Sequence, residues 1–226
     1  MPTKNICDIC GENTDINNVT VSSTFKSIDI EDKYIYNLWH KDFFECEKCG
    51  FSIFKGDKCK DKSVVGNRNF INVDINPFVK KLDKFNHNYI VKQCLRMGAY
   101  YNLIGDLYGE AICYLMAWDD VNRFLIYYSE EVSEDNVNKL DKVESQFEKF
   151  AKTLFDYGVS RLEILYQKNK SNIDVAILYS YMLLQSDKDD VKTAGLVLNV
   201  LAGNNLTAIQ RKAIERLYNK YKLRYQ

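Results

Sequence analysis

Cys7-Asp8-Ile9-Cys10-Gly11 and Cys46-Glu47-Lys48-Cys49-Gly50 are the stretches whose residue types and spacing point to chemistry. Each sets two thiols on one tight turn. The glycine that follows lets the chain bend away through positive φ. Two C-x-x-C pairs supply the four thiolates of a closed, tetrahedral structural zinc site. The expected zinc ligands are therefore Cys7, Cys10, Cys46 and Cys49, with His40, shortly before Cys46, as the candidate substitute for a sulfur. A redox C-x-x-C belongs in a βαβ setting, which neither pair has. A disulfide framework belongs to exported chains. Here Met1-Pro2-Thr3-Lys4 runs into a knuckle with no apolar signal segment between. With four cysteines assigned to metal, Cys59, Cys94 and Cys113 are expected to remain thiols, which suits a reducing cytoplasm.

Other chemistry is sparse. His40 and His87 are the two histidines, and no phosphate-loop, dinucleotide or H-E-x-x-H motif occurs. Asp119-Asp120 has the look of paired carboxylates, but reads as the solvated end of a helical hairpin. No catalytic residues are expected, and the chain is not expected to be an enzyme. No apolar run reaches the roughly 18 residues that span a bilayer.

The elements that must position the knuckles are strands. Val19, Val21, Phe25, Ile28 and Ile30 alternate loosely, and Tyr34-Ile35-Tyr36-Asn37-Leu38-Trp39 is the strongest strand signal in the chain. Phe43-Phe44-Glu45 leads into the second knuckle and Phe51-Ser52-Ile53-Phe54 leads out of it. A small antiparallel sheet with zinc at one end is expected. Its apolar core is too small to fold alone, so the metal must contribute folding energy. Lys55 to Lys62 reads as charged loop, Phe70 to Ile75 as a short edge strand, and Asn76-Pro77 as the cap of a short helix.

From Asn88 the period becomes helical. Helices are expected over Tyr89–Ile104, Leu107–Tyr128, Glu134–Lys168, Ile173–Gln185, Val191–Leu201 and Leu206–Leu223. Gly105-Asp106, an acidic connector at Glu130–Asp135, a turn at Asp187–Asp190 and Gly203-Asn204-Asn205 separate them. The longest carries the stripe Val137, Leu140, Val143, Phe147, Phe150, Leu154, Gly158, Leu162 and Leu165, with a bend expected near Gly158. The last carries Leu206, Ile209, Ala213, Leu217 and Tyr221. Only two prolines and ten glycines, with 46% hydrophobic residues in 226, agree with long helices around a real core. The fold class expected is α+β, mostly α: a zinc ribbon over 1–62, a linker with a short strand and helix over 63–87, and an all-helical domain over 88–226.

Gly105-Asp106-Leu107-Tyr108-Gly109-Glu110-Ala111-Ile112, with Tyr114 and Ala117, resembles the turn and second helix of a tetratricopeptide repeat, where small residues let paired helices approach. One extra residue precedes Ala111, no proline closes the unit, and no period of about 34 residues runs through the chain. Together, the two knuckles, the aromatic stretch before Cys46, Cys49-Gly50-Phe51 and Leu103 to Trp118 resemble a family of uncharacterised bacterial proteins with an N-terminal zinc ribbon and C-terminal TPR-like helices. Asp8 and Glu47 stand where that family commonly has proline. The resemblance implies a cytoplasmic binding module with no established reaction.

Formal net charge is zero, so global electrostatics do not point to a polyanion. Through residue 62 nine basic residues face eleven acidic ones, which argues against a phosphate-binding ribbon. The last helix differs: Arg211, Lys212, Arg216, Lys220, Lys222 and Arg224 accompany a single acid, Glu215. The function expected is a zinc-binding cytoplasmic adaptor whose helical domain binds a protein or peptide. The alternative is a nucleic-acid-associated regulator that uses the ribbon and the basic last helix. A second copy is a further candidate partner, through the 119–148 region where nine acids outnumber three bases.

Overall fold

The computed structural model describes residues 5–11, 13–14, 17–19, 30–46, 49–60, 88–131, 137–186 and 188–225. The class is α+β and mostly α, as expected. Packing divides the chain into two compact units, each discontinuous in sequence. One is Met1–Thr20 with Asp42–Gly158, and the other is Val21–Lys41 with Val159–Gln226. Residues 63–87, with the strand expected at Phe70–Ile75, the helix expected from Pro77, and His87, lie outside the described residues.

In the first unit, β1 (Asn5–Ile6) and β2 (Asn13–Thr14) form an antiparallel pair around the first knuckle. A second antiparallel sheet has the order β3 (Asn17–Val19), β4 (Phe43–Glu45), β5 (Ser52–Phe54). Its register places Val19 opposite Phe43, and Phe43 opposite Phe54. The β4–β5 hairpin encloses the second knuckle, and all of β5 is buried.

What buries β5 is α2 (Asn88–Leu103), whose apolar residues are too many for a single stripe. The reason is that α2 is covered on two sides. Tyr100 meets Phe51 edge-on at 5.3 Å and Tyr101 stacks on Phe54 at 5.1 Å, while Gly98 sits against Tyr114 of α3 (Leu107–Glu131). The turn between the helices is the Gly105-Asp106 break read from sequence. Gly105 takes φ 73°, Asp106 N donates to Tyr101 O and Gly105 N to Asn102 O. This pair of bonds is a Schellman motif. Asp106 then caps α3, its Oδ1 accepting from Gly109 N. A methyl group added at Gly109 would lie 2.4 Å from the Tyr101 ring, so the expected close approach at this small residue is present.

Helix α4 (Val137–Lys168) is continuous through Gly158, so the glycine does not end it. Glycine serves contact instead: an added Cβ would lie 2.8 Å from Leu115 Cγ and 3.3 Å from the Ala111 carbonyl. Phe147, Phe150, Leu154 and Leu162 are buried as their stripe requires, and Leu165 is half-buried.

In the second unit, Tyr34–Trp39 is helical, not the strand expected; α1 spans Ile30–Trp39. In a strand Asn37 would share a face with Ile35 and Trp39. In a helix it turns away and is exposed, while Ile35 and Trp39, one turn apart, are both buried. They pack towards α5 (Ile173–Leu183) and α7 (Ala208–Tyr225). Aromatic content favours strands only where a pleated surface receives it.

Asn172 caps α5 by accepting from Val175 N, as its position suggested. The turn expected over Asp187–Asp190 is shorter, because α6 (Lys188–Ala202) already begins at Lys188. It stops at Gly203-Asn204, but through Asn204, whose Nδ2 donates to the Val200 carbonyl, and not through a left-handed glycine. Thr207 and Gln210 start α7 with a reciprocal capping box, Thr207 N to Gln210 Oε1 and Gln210 N to Thr207 Oγ1. That start leaves Ile209 in the first turn and 54% exposed, contrary to the expected stripe; Ile214 joins Ala213 and Leu217 in the core instead.

The two glycine environments give an expected contrast in denaturant midpoints. Gly158→Ala should destabilise by about 1–3 kcal/mol, because the methyl meets packed side chain and backbone. Gly203→Ala, whose Cβ finds only a carbonyl at 3.7 Å, should stay within about 0.5 kcal/mol. Equal effects in urea unfolding would contradict the packing of α4 on α3.

Candidate metal centre

Both knuckles close as their glycines suggested. Gly11 and Gly50 take φ 72° and 71°, and their N–H groups donate to the carbonyls of Cys7 and Cys46 at 3.0 and 2.7 Å. Each knuckle thus folds back on its own first cysteine and presents two sulfurs on one side. The β3–β4–β5 sheet and the β1–β2 pair bring the two turns together.

The four sulfurs of Cys7, Cys10, Cys46 and Cys49 all lie within 4.8 Å of one another. Across the knuckles, Cys7 Sγ is 3.7 Å from Cys49 Sγ and Cys10 Sγ is 3.7 Å from Cys46 Sγ. Sulfurs at the corners of a tetrahedron with metal–sulfur bonds of about 2.3 Å stand about 3.8 Å apart. A disulfide would need about 2.05 Å. The sulfur set therefore has the dimensions of a four-thiolate metal site, and these residues could hold one ion.

Cys7 and Cys46 are buried, Cys49 is half-buried and Cys10 is exposed. Burial pushes the Cys7 thiol up. It raises the Cys49 thiol too, with the neighbouring Cys46 and Cys7 thiols adding to the effect. A bound cation reverses this, because the ion stabilises the thiolates that burial disfavours. Metal must then displace protons, so affinity falls as pH falls. The Arg96 guanidinium of α2 lies beside the second knuckle, its Nη1 3.7 Å from where a Gly50 Cβ would stand. It brings positive charge towards a cluster that carries about −2 when a divalent ion is bound.

The surroundings of the centre are set by α2. Gln93, 2% exposed, accepts from Ser52 Oγ at 2.8 Å and donates to Glu45 Oε1, which ties the two strands flanking the second knuckle to the helix. Tyr101 OH donates to Asp57 Oδ2 at 2.7 Å and accepts from Phe54 N. Tyr100 OH accepts from Lys60 N at 2.9 Å and donates to Cys59 Sγ, while Cys59 N donates to Asp8 of the first knuckle. Gln93, Asp57 and Tyr100 were not singled out from sequence, and Cys59 was expected only to remain a thiol. Their only signal is Tyr100-Tyr101, adjacent aromatics that cannot both lie on a narrow helical stripe.

His40 is not among the clustered ligands; its ring stacks on Tyr36 at 3.9 Å and packs on Trp39. Cys94 and Cys113 are fully buried, and burial, with the Asp120 charge adding, pushes the Cys94 thiol up. Asp119-Asp120 departs from its expected solvated setting, because the pair lies well inside α3 and is half-buried. Asp119 pairs with Arg123 at 2.5 Å, and Asp120 Oδ2 is buried with no hydrogen-bond partner among the described residues. Burial raises the Asp120 carboxyl to about 7, the Asp119 charge adds to it, and Arg123 opposes both.

Comparison with models of protein families, with curated proteins and with solved structures finds no match to the chain. Among the described residues, no helix is long and apolar enough to cross a membrane.

Two outcomes follow. Cys46→Ser should lower bound metal well below that of the unaltered chain, while Cys94→Ser leaves it unchanged, as read by elemental analysis of reduced protein. Asp120 is neutral in the fold up to about pH 7 and ionised in the unfolded chain above about pH 4. Its contribution to stability is therefore full at low pH and lost as pH rises through 7. At fixed metal loading, Asp120→Asn should gain roughly 1–4 kcal/mol on the native protein between pH 5 and pH 8. A difference that does not change with pH would refute the buried setting.

Proposed function

We propose that Cys7, Cys10, Cys46 and Cys49 hold a structural zinc ion and that the chain is a cytoplasmic adaptor, without a reaction of its own, whose helices bind a polypeptide segment. The observation that carries the reading is the convergence of four sulfurs at tetrahedral spacing. Four protein ligands close a zinc site, whereas a catalytic zinc keeps a position for water or substrate. When bound, the ion supplies cross-linking energy and no chemistry. The helical hairpins, TPR-like in their Gly-Asp turn and small residues, supply the binding surface.

The basic face of α7 favours a second reading, association with nucleic acid: Arg211, Lys212, Lys220, Lys222 and Arg224 are exposed. Against it, three cations are already held within the unit. Lys220 lies over the Tyr181 ring, Lys222 over Tyr218, and Arg224 donates to the Leu184 carbonyl.

Purified reduced protein should contain about one zinc per chain. A strong chelator should loosen β3–β5 first, and with it the α2 face carrying Tyr100 and Tyr101, as followed by hydrogen exchange. Protein free of zinc and yet fully protected there would overturn the structural role. Affinity for DNA or RNA that falls steeply with log[salt] would favour the second reading over the first.

A further inference from the structure

The four sulfurs of the metal centre are unequally covered. Cys7 and Cys46 are buried, and Cys49 is half-buried in the knuckle that Arg96 of α2 approaches. Cys10 is exposed, and its neighbours Asp8 and Gly11 are exposed with it. Across the knuckles Cys10 Sγ stands 3.7 Å from Cys46 Sγ. An exposed sulfur, ionised by a bound cation and in contact with a second sulfur, meets the conditions for oxidation to a disulfide. The other cysteines lack that combination. Cys94 and Cys113 are fully buried. Cys59 is half-buried and outside the cluster, its Sγ accepting from Tyr100 OH.

We propose that Cys10 is a modification site, where hydrogen peroxide oxidises the centre and a Cys10–Cys46 disulfide displaces the metal. The proposal rests on the zinc reading and adds to it how the cross-link is undone. The Cys10 thiolate attacks one peroxide oxygen, the O–O bond breaks, hydroxide leaves, and the sulfur becomes a sulfenic acid. The Cys46 thiolate then attacks that sulfur, and a second hydroxide leaves. Two thiolates have lost two electrons, peroxide has gained them, and two protons from solvent turn the hydroxides into water. The S–S distance closes from 3.7 Å to about 2.05 Å. Of the clustered ligands only Cys7 and Cys49 remain, and two sulfurs do not close a tetrahedral zinc site. Charge selects a neutral oxidant. Four thiolates around a divalent ion carry about −2, and the exposed Asp8 adds to that field, so an anionic oxidant is repelled.

The test treats the full, zinc-loaded chain with hydrogen peroxide, reading freed zinc with a chromogenic indicator and disulfides by mass mapping without reduction. A Cys59→Ser background removes the half-buried thiol outside the cluster. About one zinc should be freed for every two thiols consumed, and a peptide joining Cys10 to Cys46 should appear. Reduction with added zinc should restore the loaded form. Cys10→His keeps a metal-binding nitrogen without an oxidisable thiol, and should release zinc at least about fivefold more slowly. Independently of any variant, limiting iodoacetamide on the loaded, unaltered chain should alkylate Cys10 before Cys7, Cys46 or Cys49. Loaded protein that keeps its zinc under peroxide, a disulfide between other cysteines, or first alkylation elsewhere among the four would each overturn this inference and leave the structural zinc standing. Protein that takes up no zinc would remove the zinc reading and this inference together.

Discussion

The N-terminal part of this protein is built around four sulfurs placed so that they could hold one ion. Strands of two or three residues gain too little from hydrogen bonds and burial to hold their own ends together. The sulfur cluster joins the turn at Cys7–Cys10 to the turn at Cys46–Cys49, a loop closure whose entropy an unaided chain of this kind recovers poorly. Were an ion held there, its binding and the folding of this segment would be one equilibrium. The raised Cys7 and Cys49 thiols express the same coupling from the other side, since without a cation the burial that suits the sheet opposes the ionised sulfur.

The cluster passes its order onward through α2. That helix offers one side to β5 and the knuckle region and another to α3, and Tyr101 touches both, stacking on Phe54 while filling the space that Gly109 leaves. Burying such rings contributes several kcal/mol each, comparable to the whole stability of a small domain. The metal segment and the first helical hairpin thus fold as parts of one compact unit. The polar groups enclosed there are matched: Gln93 with Ser52 and Glu45, Glu110 with Asn102 and Tyr157. Asp120 Oδ2 is among the buried side-chain atoms without a hydrogen-bond partner among the described residues, and its carboxyl stays neutral over much of the acidic range instead of ionising unpaired.

The second unit uses simpler means. Capping residues set its helix ends, and a stripe of small and aliphatic residues on α6 and α7 lets the pair approach closely, Gly195 lying against the Tyr221 ring. Helix α1, brought in from residues 30–39, covers faces of α5 and α7 that would otherwise expose apolar surface.

By itself the sequence determined what depends on short-range geometry. The knuckles with their left-handed glycines, the Gly105-Asp106 turn, the Asn172 cap and the long stripe from Phe147 to Leu162 are all legible, because each is fixed by residues within one or two turns. Most helix boundaries followed for the same reason. Tertiary structure decided the rest. Whether Tyr34–Trp39 became strand or helix turned on the helices waiting to bury Ile35 and Trp39, which no local propensity encodes. The depth of Asp120, the exposure of Ile209 and the use of Gly158 as a contact depend on which neighbour lies across the interface. So does the assembly of the site: spacing named the four cysteines, but only contacts between residues far apart in the chain bring their sulfurs within bonding distance of one ion.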